Sequence, residues 1–249
     1  MISASNTKDD GITIVGDPTS PYPSIICFHG SGDSCASWAT LTRLLSIKYR
    51  VLLWDRQNDI RNLDSAIQQL RRHLKHSKLS PPYVLIAHSY GGTFARSFLQ
   101  KRADDVAGMV LVETGQETGI GDAIENKQYE EQVMGDNPVA VIRGNTLIDK
   151  WRQYEEAVLA AGDNTASSGL SIQKQLLDAT DKEDERLKKA QLALSRQHRY
   201  IHIPDCGHNV VQDRPQDVAR EVDWIMENLR PRGESSMARR IMPAWLKRL

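Results

Sequence analysis

Read along the chain, apolar residues fall into two patterns. Short, dense runs occupy residues 12–15, 24–28, 50–54, 83–87, 106–112, 139–142 and 200–203, and most of them stop where glycine or polar residues begin. Runs of this kind predict strands buried on both faces. Between them apolar positions recur every three or four residues: Leu63, Ile67 and Leu70 form one stripe, and Phe94, Ala95, Phe98 and Leu99 another. That spacing predicts helices with one face on a core. Residues 148–161 and 182–198 also read as helices, with their many charges facing solvent, and a further helix is expected to begin near Pro215. Strands alternating with helices predict an α/β fold built on a mostly parallel, doubly wound sheet. No repeat or low-complexity linker interrupts the alternation. Functional residues in such sheets gather at the carboxyl ends of the strands.

Composition narrows the class. With 249 residues, 28.0 kDa and 40% hydrophobic residues, one substantial core is expected, a single domain over residues 1–232. Lys plus Arg and Asp plus Glu each number 32, so no net field selects nucleic acid or an anionic membrane. Cys27, Cys35 and Cys206 have no metal-ligand spacing, and an odd number leaves one unpaired. A reducing, cytoplasmic setting is expected, with no metal and no cofactor. The first residues, MISASNTKDDG, have neither a basic start nor an apolar core, so no secretory signal is expected. Residues 233–249 form a basic tail, read as loosely packed in preference to membrane-bound. Its last residues, Lys247, Arg248 and Leu249, match a peroxisomal address only loosely, because the first position lacks a small residue.

Chemistry concentrates in three segments. In LIAHSYGGTF (residues 85–94), Ser89 stands between a strand and a helix, with Ala87 and Gly91 two positions to either side. A turn that sharp forces a strained backbone at the serine and needs small neighbours, the logic of a G-x-S-x-G nucleophile elbow with Ala87 for the first glycine. In CFHGSGDSCASW (residues 27–38), Gly30 and Gly32 let the backbone approach a substrate, and Ser31 between them is placed to turn its N–H inward. In IPDCGHNVVQDRP (residues 203–215), His208 lies on a loop just after the last strand.

In this order the three segments resemble the α/β-hydrolase family over roughly residues 24–229. The resemblance implies Ser89 as nucleophile, His208 as its base, and the N–H groups of Ser31 and Tyr90 as the oxyanion hole. A serine hydroxyl attacks at neutral pH only if an imidazole takes its proton and a carboxylate holds that imidazole in the right tautomer. His29, Gly30, His88 and Trp38 are expected to line the substrate cleft, with His29 bracing the oxyanion loop. Cys206 reads as packing.

The chain departs from the family pattern in four places. Residues before the His-Gly strand leave room for one short strand where the family has a hairpin, and the glycine turn that commonly follows the next strand is missing after VLLWDRQ. Residues 113–138 offer only a small lid. The carboxylate also departs. Relatives usually carry a Gly-x-x-Asp after the strand at 139–142, but here RGNTLIDKW has Leu147 at that spacing and Asp149 two residues late. One strand earlier, Glu113 sits directly at a carboxyl end, where some haloalkane dehalogenases and zearalenone lactonases have their acid. Glu113 is therefore preferred and Asp149 is the alternative.

The expected activity is hydrolysis of a small carboxylic ester or lactone through an acyl-enzyme. A lyase or isomerase using Ser89 and His208 only for proton transfer, and a ligand-binding degenerate hydrolase, are the alternatives from other classes.

Overall fold

The computed structural model describes residues 11–56, 62–115, 121–162 and 168–230. The ends of the single domain expected over 1–232, and the basic tail, lie outside the described residues. A seven-stranded sheet runs through the centre: β1 (Ile12–Val15), β2 (Ser24–Phe28), β3 (Val51–Trp54), β4 (Tyr83–His88), β5 (Val106–Val112), β6 (Val139–Arg143) and β7 (His198–His202), in the order β1-β3-β2-β4-β5-β6-β7. Only β1 is antiparallel to its neighbour; every other pair is parallel. Among the described residues, β1 is the one strand ahead of β2.

The helices are α1 (Ala39–Leu45), α2 (Leu63–His76), α3 (Gly91–Lys101), α4 (Asp122–Glu130), α5 (Ile148–Ala161), α6 (Ser168–Ala190), α7 (Val210–Asp213) and α8 (Pro215–Glu227). Alternation along the strands splits the core into two layers. Ile26, Phe28, Leu85 and Ala87 join Ile67, Leu70, Phe94 and Phe98 of α2 and α3 on one face. Ile25, Cys27, Val84 and Ile86 join Leu41 of α1 and Val218, Val222 and Ile225 of α8 on the other. Each buried Ile, Leu, Val or Phe among them contributes about 1.5–3 kcal/mol.

Two expectations shift. The last strand covers His198–His202, not 200–203. As the edge strand it has one neighbour, with His198 opposite Val139, so polar residues are tolerated there. The long helix runs over Ser168–Ala190, not 182–198, and a 3₁₀ turn at Gln191–Leu194 ends it. There Ser195 turns inward and its hydroxyl donates to Asn137 O at 2.6 Å.

The charges of that helix do not all face solvent. Asp184 and Lys188 are 3% and 0% exposed. Asp184 accepts from Arg143 Nε at 2.7 Å and from Lys188 Nζ at 3.0 Å, joining α6 to the end of β6. Burial pushes the Asp184 carboxyl upward, and the neighbouring Lys188 and Arg143 outweigh it and hold it below the usual range. None of these helices is long and apolar enough to cross a membrane among the described residues.

Candidate active site

β4, β5 and β6 end side by side, His88 opposite Val112 and Val112 opposite Ile142. The next residue of each of the first two strands bends sharply. Ser89 has φ 50° and Glu113 φ 52°, left-handed values that side chains other than glycine rarely adopt. Hydrogen bonds enforce both: Ser89 N donates to Val112 O at 3.0 Å, and Glu113 N to Ile142 O at 2.9 Å. The elbow after Ser89 is closed by Gly92 N donating to Ser89 O at 2.8 Å. A Cβ at Gly91 would lie 2.1 Å from Phe28 O, so only glycine lets α3 start this close to β2.

Glu113 is 1% exposed and both its carboxylate oxygens are engaged. Oε1 accepts from Gly144 N at 2.6 Å, and Oε2 lies 3.1 Å from His208 Nδ1. Gly144 in turn packs against the loop that carries His208, since a Cβ there would sit 2.4 Å from Gly207 O. That loop is tied to β4 as well. His88 Nε2 donates to His208 O at 2.9 Å, and the two imidazole centroids are 4.9 Å apart. That bond puts a proton on His88 Nε2, and burial lowers the pKa of the ring. Its Nδ1 is buried without a partner.

The loop after β2 is fixed through one peptide. Gly30 O accepts from His29 Nδ1 at 2.9 Å and from Arg56 Nη2 at 2.8 Å. In a trans peptide the carbonyl and the N–H point to opposite sides, so holding Gly30 O from behind turns the Ser31 N–H away from these two donors. His29 Nε2 accepts from Arg56 N at 3.2 Å, which sets the tautomer. Burial, then the nearby Arg56 charge, lower the His29 pKa. The Arg56 guanidinium lies 4.4 Å from the centre of the Phe94 ring, and burial lowers its pKa to about 10, still cationic at neutral pH. The expectations did not include Arg56. Its position directly beyond the carboxyl end of β3 was the available signal.

Ser89, Ser31, Gly30, His88 and His208 meet around one cleft of about 230 Å³. A larger cleft of about 630 Å³, walled by Arg71, Lys75, Tyr83 and Arg102, lies at the opposite, amino-terminal end of β4 and contains none of these residues. Three expectations are corrected. Trp38 is 1% exposed and packs in the core layer of α1 and α8, because its ring fills the space under the sheet. His29 is 1% exposed and braces Gly30; it does not line the cleft. Asp149 stands on the exposed face of α5, paired with Arg152, while His208 faces Glu113. Tyr90 begins α3, where the first N–H groups of a helix lack intrahelical partners, and its ring packs edge-on against Phe94 at 5.5 Å. Cys206 is buried and unpaired. Among the described residues no group of three or more His, Cys, Asp or Glu is arranged to hold a metal.

The chain is similar to several known proteins. The chain is 24% identical over 275 aligned residues to the "Probable transporter efuK" of Hormonema carpetanum, an alignment covering 82% of this chain and 39% of that protein's length. It is 24% identical over 216 residues to the "Uncharacterized protein YqjL" of Bacillus subtilis (strain 168), covering 78% of this chain and 80% of that one. The fold superimposes on the crystal structure of an esterase, RhEst1, from Rhodococcus sp. ECU1013 with a TM-score of 0.56 at 16% identity, covering 92% of this chain and 99% of the other. Residues 25–221 match the model of the "Alpha/beta hydrolase family", and the chain belongs to that family.

Proposed function

We propose that the protein is a serine hydrolase that cleaves a small carboxylic ester or lactone through an acyl-enzyme. The observation that carries this reading is the 3.1 Å contact between Glu113 Oε2 and His208 Nδ1 at the cleft that contains Ser89. A carboxylate on Nδ1 fixes the proton there and leaves Nε2 as the free base. Ser89 Oγ attacks the ester carbonyl while His208 Nε2 takes its proton, and Glu113 stabilises the imidazolium. The negative oxygen of the tetrahedral intermediate is bound by the N–H groups of Ser31 and Tyr90. Collapse expels the alcohol, which takes the proton from His208. Water then attacks the acyl-Ser89 ester, giving its proton to His208, and the acid leaves with Ser89 restored.

The strained backbones at Ser89 and Glu113 support the reading, since strain of this kind persists where the surrounding structure over-determines a geometry. The test is a fluorophosphonate probe combined with turnover on a panel of short esters and lactones. Covalent labelling confined to Ser89, with turnover lost in Ser89→Ala, is the expected result. Full turnover by Ser89→Ala would overturn the reading, and labelled Ser89 without turnover of any ester or lactone would favour the lyase or binding alternatives.

A further inference from the structure

The lining of the cleft says more about the substrate than the triad does. Besides the residues already described, Gly32, Asp33, Asn209 and Gln212 complete it, and among the described residues no apolar side chain contributes. Binding pockets are usually lined mostly by apolar groups and enclose about 300–1,000 Å³. This one encloses about 230 Å³. An apolar chain placed here would desolvate polar groups without offering them partners, which is unfavourable. A short group with its own hydrogen-bond donor would not.

Asp33 is the acceptor placed to meet such a donor. It lies two residues beyond Ser31 on the same loop, and its carboxylate is fixed by accepting from Ser34 N at 2.8 Å and Ser37 Oγ at 2.9 Å. A carboxylate has about four acceptor sites, so capacity remains. Among the described residues, no lysine or arginine lines the cleft to receive an anion. The guanidinium of Arg56 is turned to Gly30 O and the Phe94 ring.

We infer that the substrate is a short-chain ester or lactone carrying a hydrogen-bond donor, hydroxyl or ammonium, close to the reacting carbonyl, and that Asp33 selects it. This inference rests on the hydrolase reading above. Asp33 discriminates against apolar chains by offering them an unpaired carboxylate, and against carboxylated chains by like-charge repulsion.

The test compares kcat/KM by acid release from methyl lactate, methyl isobutyrate, methyl alaninate, methyl octanoate and monomethyl succinate. Methyl lactate and methyl isobutyrate differ only in a hydroxyl replaced by a methyl group. The expected result is a preference of at least about tenfold for lactate over isobutyrate, the size of one hydrogen bond to a charged group, with octanoate and succinate poorest. Asp33→Ala should bring the lactate-to-isobutyrate ratio close to one. Asp33→Asn keeps an oxygen for Ser34 N, and so guards against a folding artefact; it should lose any preference for alaninate and retain part of that for lactate. Faster Ser89-dependent turnover of isobutyrate, octanoate or succinate than of lactate would overturn this inference and leave the hydrolase reading standing. Absence of turnover on every ester together with an unlabelled Ser89 would overturn the hydrolase reading itself.

Discussion

Glu113 and His208 are 95 positions apart, yet Oε2 of one lies 3.1 Å from Nδ1 of the other while Oε1 is held by Gly144 N. The contact exists because β5 ends beside β4, so a residue one step past β5 lies at the same sheet edge as Ser89, buried behind His208. The longer glutamate side chain spans the remaining distance to the imidazole. Glu113→Gln keeps the shape and removes the charge, so its amide presents a donor where His208 needs an acceptor. A loss of about a thousandfold or more in kcat is expected, against little change for Asp149→Asn, as read by steady-state kinetics. The reverse ranking would transfer the role to Asp149.

Arg56 acts through Gly30 O and so is a positioning residue. Arg56→Met should lower kcat by about ten- to hundredfold, the worth of one charge-assisted hydrogen bond that orients the Ser31 N–H. KM should stay nearly constant, and Arg56→Lys should recover part of the loss by restoring a cation. A raised KM at unchanged kcat would show that Arg56 binds substrate in the ground state.

Away from the site, Asp184 neutralises two cations on the α6 side of β6. Its replacement by alanine leaves Lys188 buried without that carboxylate, and a destabilisation of about 3–5 kcal/mol is expected from the urea midpoint. A change below about 1 kcal/mol would mean that Lys188 reaches water in solution.

His29 and His88 both have pKa values lowered by burial. The unfolded chain therefore binds more protons than the folded one as the pH falls through about 6.5, the unperturbed histidine value. Their contribution is fully present above that pH and is lost as pH falls toward and through the folded-state values. Unfolding midpoints measured between pH 7.5 and 5.5 should fall, and fall less in a His29→Gln/His88→Gln double variant, whose side chains do not titrate. An equal fall in the variant would assign the slope to other groups.

These residues also mark how far the sequence could be read. Ser89 and Glu113 were legible because each directly follows a dense apolar run, and an α/β sheet brings such positions to one edge. His208 was legible from its loop and from its order after the other two segments. Trp38 was misassigned because an aromatic ring beside a glycine loop suits a pocket wall as well as a core, and only the packing of α1 and α8 decides. The partnership of Asp184 and Arg143 spans 41 positions and joins a helix to a strand, so no local pattern announces it. Lys188 lies in a stretch whose charge density imitates a solvated helix face. Arg56 stood at a strand end, but its role depends on which carbonyl it meets.

If hydrolysis passes through an acyl group on Ser89, rapid-quench mass spectrometry with p-nitrophenyl acetate detects that group. A burst of nitrophenol, equal to one per active site, is expected in step with an acetyl adduct on the peptide containing Ser89. His208→Ala and Glu113→Gln should slow the burst, and Ser89→Ala should abolish the adduct. Steady turnover without an adduct on Ser89, or an adduct on another residue that rises and decays at the same rate, would contradict the acyl-Ser89 route.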